Sequence, residues 1–141
     1  VVSLGAAVAG ALPGMRAEAE SMMRDSCVVR DPSAASQTWD EATGTYVAGA
    51  APTVYSGKCR VKRGVVDNLV VSGEADAAVA DVTVSLPVTT STAVRLGHEV
   101  TVTACEMDPA LVDVVFQVVG PAHAQTHATA RRLSCRVVSR G

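Results

Sequence analysis

The sequence predicts an all-β fold, a small β-barrel or sandwich carrying an N-terminal helical arm. Beyond Ser26, apolar and polar residues alternate with a period of two in one short segment after another. Those segments are separated by turn-forming clusters of Gly, Pro, Asp, Asn and Ser at the spacing of strands in a barrel or sandwich. Helical periodicity is confined to the residues before Ser26. With 141 residues the chain suits one domain with a modest core. We divide it into an arm over 1–25 and a barrel domain over 26–141, with long loops at about 31–44 and 64–76.

Leu4, Val8 and Leu12 follow helical i, i+4, i+8 spacing, and Met15, Ala19 and Met22 resume it after Pro13 and Gly14. A helix broken or kinked near Pro13 is expected. Met15 to Arg24 is rich in helix formers, with Glu18 and Glu20 early and Arg24 late, as the helix dipole favours. Such a helix either packs on its own domain or docks on a neighbouring subunit. The apolar start, Val1 to Leu12, is not preceded by the positive charge of a signal peptide and is too short to span a bilayer. Because position 1 is not Met, the initiator is expected to have been removed or the numbering to begin after it.

Cys27 and Val29 alternate with Ser26 and Arg30 in a first strand ending near Asp31, and a long polar loop follows. In the next strand, about Val54 to Lys62, Tyr55, Gly57, Cys59 and Val61 face one way and Lys58, Arg60 and Lys62 the other. Gly64 to Asp76 mixes turn residues with Leu69, Val70 and Val71, and fits either a hairpin or an extended loop with a short strand. Ala80 to Leu86 and Glu99 to Thr103 alternate again, Pro87 closes the first of them, and the two are expected to pair. After the turn at Met107, Asp108 and Pro109, strands are expected over about 112–118 and 129–138, the latter with Leu133, Cys135 and Val137 inward.

A net charge of −2 and a pI near 5.9 argue against tight, sequence-independent binding of nucleic acid, which needs many phosphates neutralised. Aromatic residues are only 3% of the chain, too few for a base-stacking platform. Cys27, Cys59, Cys105 and Cys135 are widely spaced, without the Cys-x-x-Cys pairing of zinc or redox sites, so buried free thiols are expected. His123 and His127 would share a face only on a helix, whereas Gly120-Pro121 points to a loop, and no third ligand is near; no metal and no cofactor are expected. No nucleophile elbow, phosphate-cradling loop or paired carboxylates stand out, and no catalytic residue is nominated. The basic groups, Lys58 to Arg63 and Arg131 to Arg140, serve ordinary solubility and cross-strand pairing or form a charged inter-subunit surface. The candidate interface residues are Met15, Met22, Arg60, Lys62, Arg132 and Arg136.

The order of features resembles that of a known family: a short helix, then Asp25-Ser26-Cys27-Val28-Val29-Arg30, then Tyr55-Ser56-Gly57-Lys58-Cys59-Arg60-Val61. Ser85-Leu86-Pro87, Val94-Arg95-Leu96-Gly97-His98-Glu99-Val100-Thr101-Val102-Thr103 and Thr126-His127-Ala128-Thr129-Ala130-Arg131-Arg132-Leu133 come after. Together they resemble the head-to-tail stopper proteins of actinobacteriophages over nearly the whole chain. Gly97-His98 stands where that family often has Gly-Asp. The resemblance implies a non-enzymatic virion protein, made in the host cytoplasm and placed at the head-tail junction. It further implies a β-barrel subunit in a ring, six by expectation, below the portal and adaptor. That ring would retain packaged double-stranded DNA without reading its sequence and present a platform for the tail terminator or tail proteins, with no membrane involved. The channel loop is placed at 64–76, where Asp67, Glu74 and Asp76 would line the lumen, with 31–44 as the alternative. A tail terminator or minor tail protein shares the size and β content. From other classes, a secreted β module with two disulfides would explain the cysteines, and a small hydrolase would require a cleft with perturbed ionisable groups.

Overall fold

Alternation along the chain becomes the inside and outside of a closed sheet. The computed structural model describes residues 3–63, 82–120 and 126–140. Helix α1 (Leu4–Ser21) leads into β1 (Asp25–Arg30), β2 (Gln37–Asp40), β3 (Thr45–Ala48), β4 (Thr53–Arg63) and β5 (Val82–Leu86). Then come β6 (Glu99–Ala104), β7 (Val114–Val118) and β8 (Arg131–Arg140), with 3-10 turns at Pro32–Ala34 and Pro109–Leu111. Strands in the order β1-β4-β5-β8-β7-β6 close into an antiparallel barrel, β6 completing the circle on β1, while β2 and β3 form a separate hairpin.

Of the two architectures the sequence allows, this is the barrel. Its interior holds Phe116, Leu86 and Leu133 among Val29, Val84, Val100, Val102, Val118 and the thiols of Cys27, Cys59 and Cys135, all nearly inaccessible to solvent. Few strands enclose a narrow interior, and short β-branched and cysteine side chains fill it where more aromatic rings would overpack it. Register shifts at Val29/Arg30, Ser26/Cys27 and Val115/Phe116 interrupt the ladders, as bulges do where strands bend around a barrel. Gly57 faces inward beside Tyr55, and a Cβ there would lie 3.0 Å from the phenol oxygen. Its absence leaves the ring room to fold along the strand and donate to the Lys58 carbonyl at 2.5 Å.

Three expectations are corrected. First, β5 and β6 do not pair: β5 lies between β4 and β8, and β6 between β1 and β7. The connection from Pro87 to His98 is no tight turn. It is an ordered irregular segment in which the buried Ser91 hydroxyl donates to the Pro87 carbonyl and accepts from Arg131 Nε at 3.0 Å, which lets the chain cross to another partner. Second, α1 runs unbroken through Pro13. The proline is exposed, so water can reach the backbone carbonyl that its missing N–H leaves unpaired. Third, the expected loop over 31–44 contains strand β2 and the turn of a hairpin completed by β3. The other long loop, 64–76, lies outside the described residues. No described helix is long and apolar enough to cross a membrane.

Candidate functional site

Ser3 caps α1, its hydroxyl accepting from the Ala6 N–H at 3.1 Å. The helix has no buried residue, although Val8, Leu12, Arg16, Ala19 and Glu20 are half-buried along one stripe. Polar contacts fix its second half: Arg16 Nε donates to the Ala128 carbonyl at 3.0 Å and Glu20 pairs with Lys58 at 3.3 Å. Just after the helix, Met23 is buried. The first turns have no such anchors, and Leu4 is 82% exposed. Met15 and Met22, both candidate interface residues, are exposed as well.

The β2–β3 hairpin stands off the barrel, with every residue of its strands exposed except the half-buried Asp40. Trp39 and Tyr46 sit directly opposite each other, ring centroids 5.0 Å apart at 70°, an edge-to-face pair. They remain 52% and 66% exposed, and Val47, on the other face of the hairpin, is exposed too. Asp40 builds the turn: one carboxylate oxygen accepts from the Ala42 N–H at 3.0 Å and the other from the Thr43 hydroxyl at 3.2 Å. Gly44 closes it at φ 66°, a left-handed conformation that favours glycine, and returns its N–H to the Asp40 carbonyl at 2.9 Å. β-formers flanking Asp-Glu-Ala-Thr-Gly are the sequence signal for this hairpin.

The basic residues are brought together as one surface. Register places Arg60, Ser85 and Arg132 in a row across β4, β5 and β8, with Lys62, Thr83 and Ser134 in the next row. Arg60, Lys62, Arg132 and Arg136 are exposed. Arg136 donates from two nitrogens to Gln117 Oε1, at 3.1 and 2.7 Å, whereas Arg60, Lys62 and Arg132 form no ion pair among the described residues.

His98, expected in a turn, is buried; its Nδ1 accepts from the Arg95 N–H at 3.0 Å and its Nε2 lies 3.6 Å from Asp31. A hydrogen bond from Ser33 holds the Asp31 carboxyl below the usual carboxylate range. His127 is exposed, and His123 lies outside the described residues, as do Asp67, Glu74 and Asp76. All four cysteines are free and buried. The Cys27 thiol, hydrogen-bonding to Cys59, and then burial raise the Cys59 thiol's pKa; burial pushes Cys135 up to about 12 and the Tyr55 phenol likewise to about 12. Among the described residues no group of three or more His, Cys, Asp or Glu is placed to hold a metal ion.

A family model described as a family of unknown function, DUF6093, matches residues 15–136. No curated protein matches the chain. The solution structure of protein SF1141 from Shigella flexneri 2a, a structural genomics target, is similar in fold, with a TM-score of 0.56 and 16% identity. The match covers 85% of this chain and 96% of that one.

Proposed function

The chain belongs to the DUF6093 family, a family of unknown function, and we propose that it is a head-to-tail stopper of a tailed bacteriophage, a ring subunit that closes the DNA-filled head. The observation that carries this reading is the closed barrel from which two apolar projections stand off. A closed sheet offers no free edge for pairing with another chain. Contacts with other subunits therefore fall to the first turns of α1, with Leu4 exposed, and to the hairpin, with Trp39 and Tyr46 exposed. Such a subunit works by interface burial and by the shape of its ring, without a catalytic group. The order of sequence features shared with stoppers supports the same role. In this reading 64–76 lines the channel, and its carboxylates, Asp67, Glu74 and Asp76, leave packaged DNA free to slide.

Silencing the gene in its phage and imaging the particles by electron microscopy tests the proposal. Emptied heads beside complete, unattached tails are expected. Filled, stable heads with missing or malformed tails would move the protein to the tail, as a terminator or minor tail protein, and normal virions would remove the structural role.

A further inference from the structure

Two surfaces of the same chain carry opposite charge. From Asp31 to Pro52, the stretch that builds the hairpin, there is no Lys, Arg or His, and the charged residues are Asp31, Asp40 and Glu41. The outward positions of β4, β5 and β8 carry Lys58, Arg60, Lys62, Arg132 and Arg136 among Ser and Thr, and no Asp or Glu among the described residues. Arg60 and Arg132 stand one strand apart on either side of Ser85, about 10 Å from each other. Between them on the sheet lies the buried Ser85, and the next row adds the half-buried Thr83 and Ser134, a strip of small polar side chains.

Within one copy these surfaces are kept apart. The hairpin leaves the barrel where β1 ends and β4 begins, at Arg30 and Thr53. Arg60 lies further along β4, about 23 Å from Thr53 at a strand's rise per residue. The hairpin does not fold back, since its strands are exposed, and no described cation pairs with Asp40 or Glu41.

We propose that the acidic β2–β3 hairpin of one copy docks on the basic β4–β5–β8 face of a second copy, with Glu41 and Asp40 at Arg60, Lys62 and Arg132. Trp39 and Tyr46, which share one face of the hairpin, lie against the strip between the cations and lose the water that now covers them. A hairpin from one end of a subunit meeting a face on the next is a heterologous contact, and repeated with a closing rotation it generates a ring. The inference deepens the proposed ring subunit by naming the two surfaces through which it adheres. Single exposed ion pairs contribute little, so the contact depends on several acting together with the apolar residues, and it weakens as salt screens them.

Lys58 and Lys62 are the only lysines in the chain, which makes zero-length carbodiimide cross-linking of carboxylate to amine selective for this face. Unlabelled and 15N-labelled full chains are mixed at millimolar concentration in low salt, cross-linked and digested. Cross-links joining the Asp40–Glu41 peptide of one isotope to the Lys62 peptide of the other are expected, and they should fade in high salt. Hairpin cross-links confined to single copies, or none at all, would overturn the contact. Charge reversal gives a second readout by sedimentation. E41K, which spares the Asp40 carboxylate that holds the turn, and R60E/R132E should each weaken self-association at least roughly tenfold, or about 1.4 kcal/mol, and mixing the two variants should restore it. If mixing restores nothing while both variants stay folded, the pairing is wrong. Either failure leaves the stopper reading standing, because the silenced-gene phage decides that separately.

Discussion

At the scale of single residues, the barrel interior is a place where protons are hard to remove. Burial pushes the Cys135 thiol and the Tyr55 phenol each up to about 12, and the Cys59 thiol is raised as well. In the unfolded chain such thiols titrate near 8.5 and phenols near 10. Between those values and the folded ones the native protein binds more protons than the unfolded chain, so stability is whole below about pH 8.5 and falls as pH rises. Urea unfolding at pH 7.5 and pH 10 should show the loss, and Cys135→Ala should flatten it by up to about 1.4 kcal/mol per pH unit. Equal stability at both pH values would mean that these groups titrate freely in the native barrel. The same burial predicts that Cys27, Cys59 and Cys135 react with an aromatic disulfide reagent only after denaturation; reaction in the folded state would show that the barrel opens to the reagent, and fewer than four thiols in urea would revive a disulfide module. Phe116 is 2% exposed and is the only phenylalanine. Phe116→Ala should cost about 3–5 kcal/mol of unfolding free energy, because a narrow barrel wall cannot collapse into the space.

At the scale of elements, periodicity showed where strands lie but not which of them meet. The inward sets Tyr55/Cys59, Val82/Val84/Leu86, Val100/Val102 and Leu133/Cys135 were legible because a half-buried strand must alternate, and a slip of one residue would expose them all. The partners of β5 were not legible, since a connection as long as Pro87 to His98 no longer ties a strand to its successor. Pro13 misled for a related reason: its penalty depends on whether the freed carbonyl meets water, which depends on which face of α1 is covered. Pro13→Ala adds a backbone hydrogen bond and should raise helical circular dichroism and slow amide exchange around residues 9–16. It should move the barrel's melting temperature little, because α1 has no buried residue. Unchanged exchange would show that those turns gain nothing from the added bond. The hairpin's position off the barrel lay beyond the sequence as well: the alternation of Trp39 and Tyr46 with polar neighbours reads the same on a wall as on a projection. Trp39, the only tryptophan and 52% exposed, should emit as a solvated indole in dilute protein and shift to the blue when copies associate.

At the scale of the whole molecule, folding and association draw on different residues. The barrel core comes from β1 and β4 to β8, together with the segments that cover them. The first turns of α1 and the hairpin add exposed apolar surface and no buried side chain. The cost of carrying such surface in a monomer is a tendency to aggregate, and it is tolerable where the surface is covered in an assembly. Separability has a direct test. Removing residues 1–14 should leave a cooperative urea transition with an unchanged slope, since the slope tracks the area exposed on unfolding and residues 3–14 hold no buried side chain. The same truncation should reduce incorporation into particles when supplied to a phage lacking the full-length protein. A lower slope together with a lower midpoint would show that the arm is part of the folding unit. Normal incorporation of the truncated chain would leave the hairpin as the projection on which association depends, and E41K would then be the variant expected to stay folded and fail to assemble.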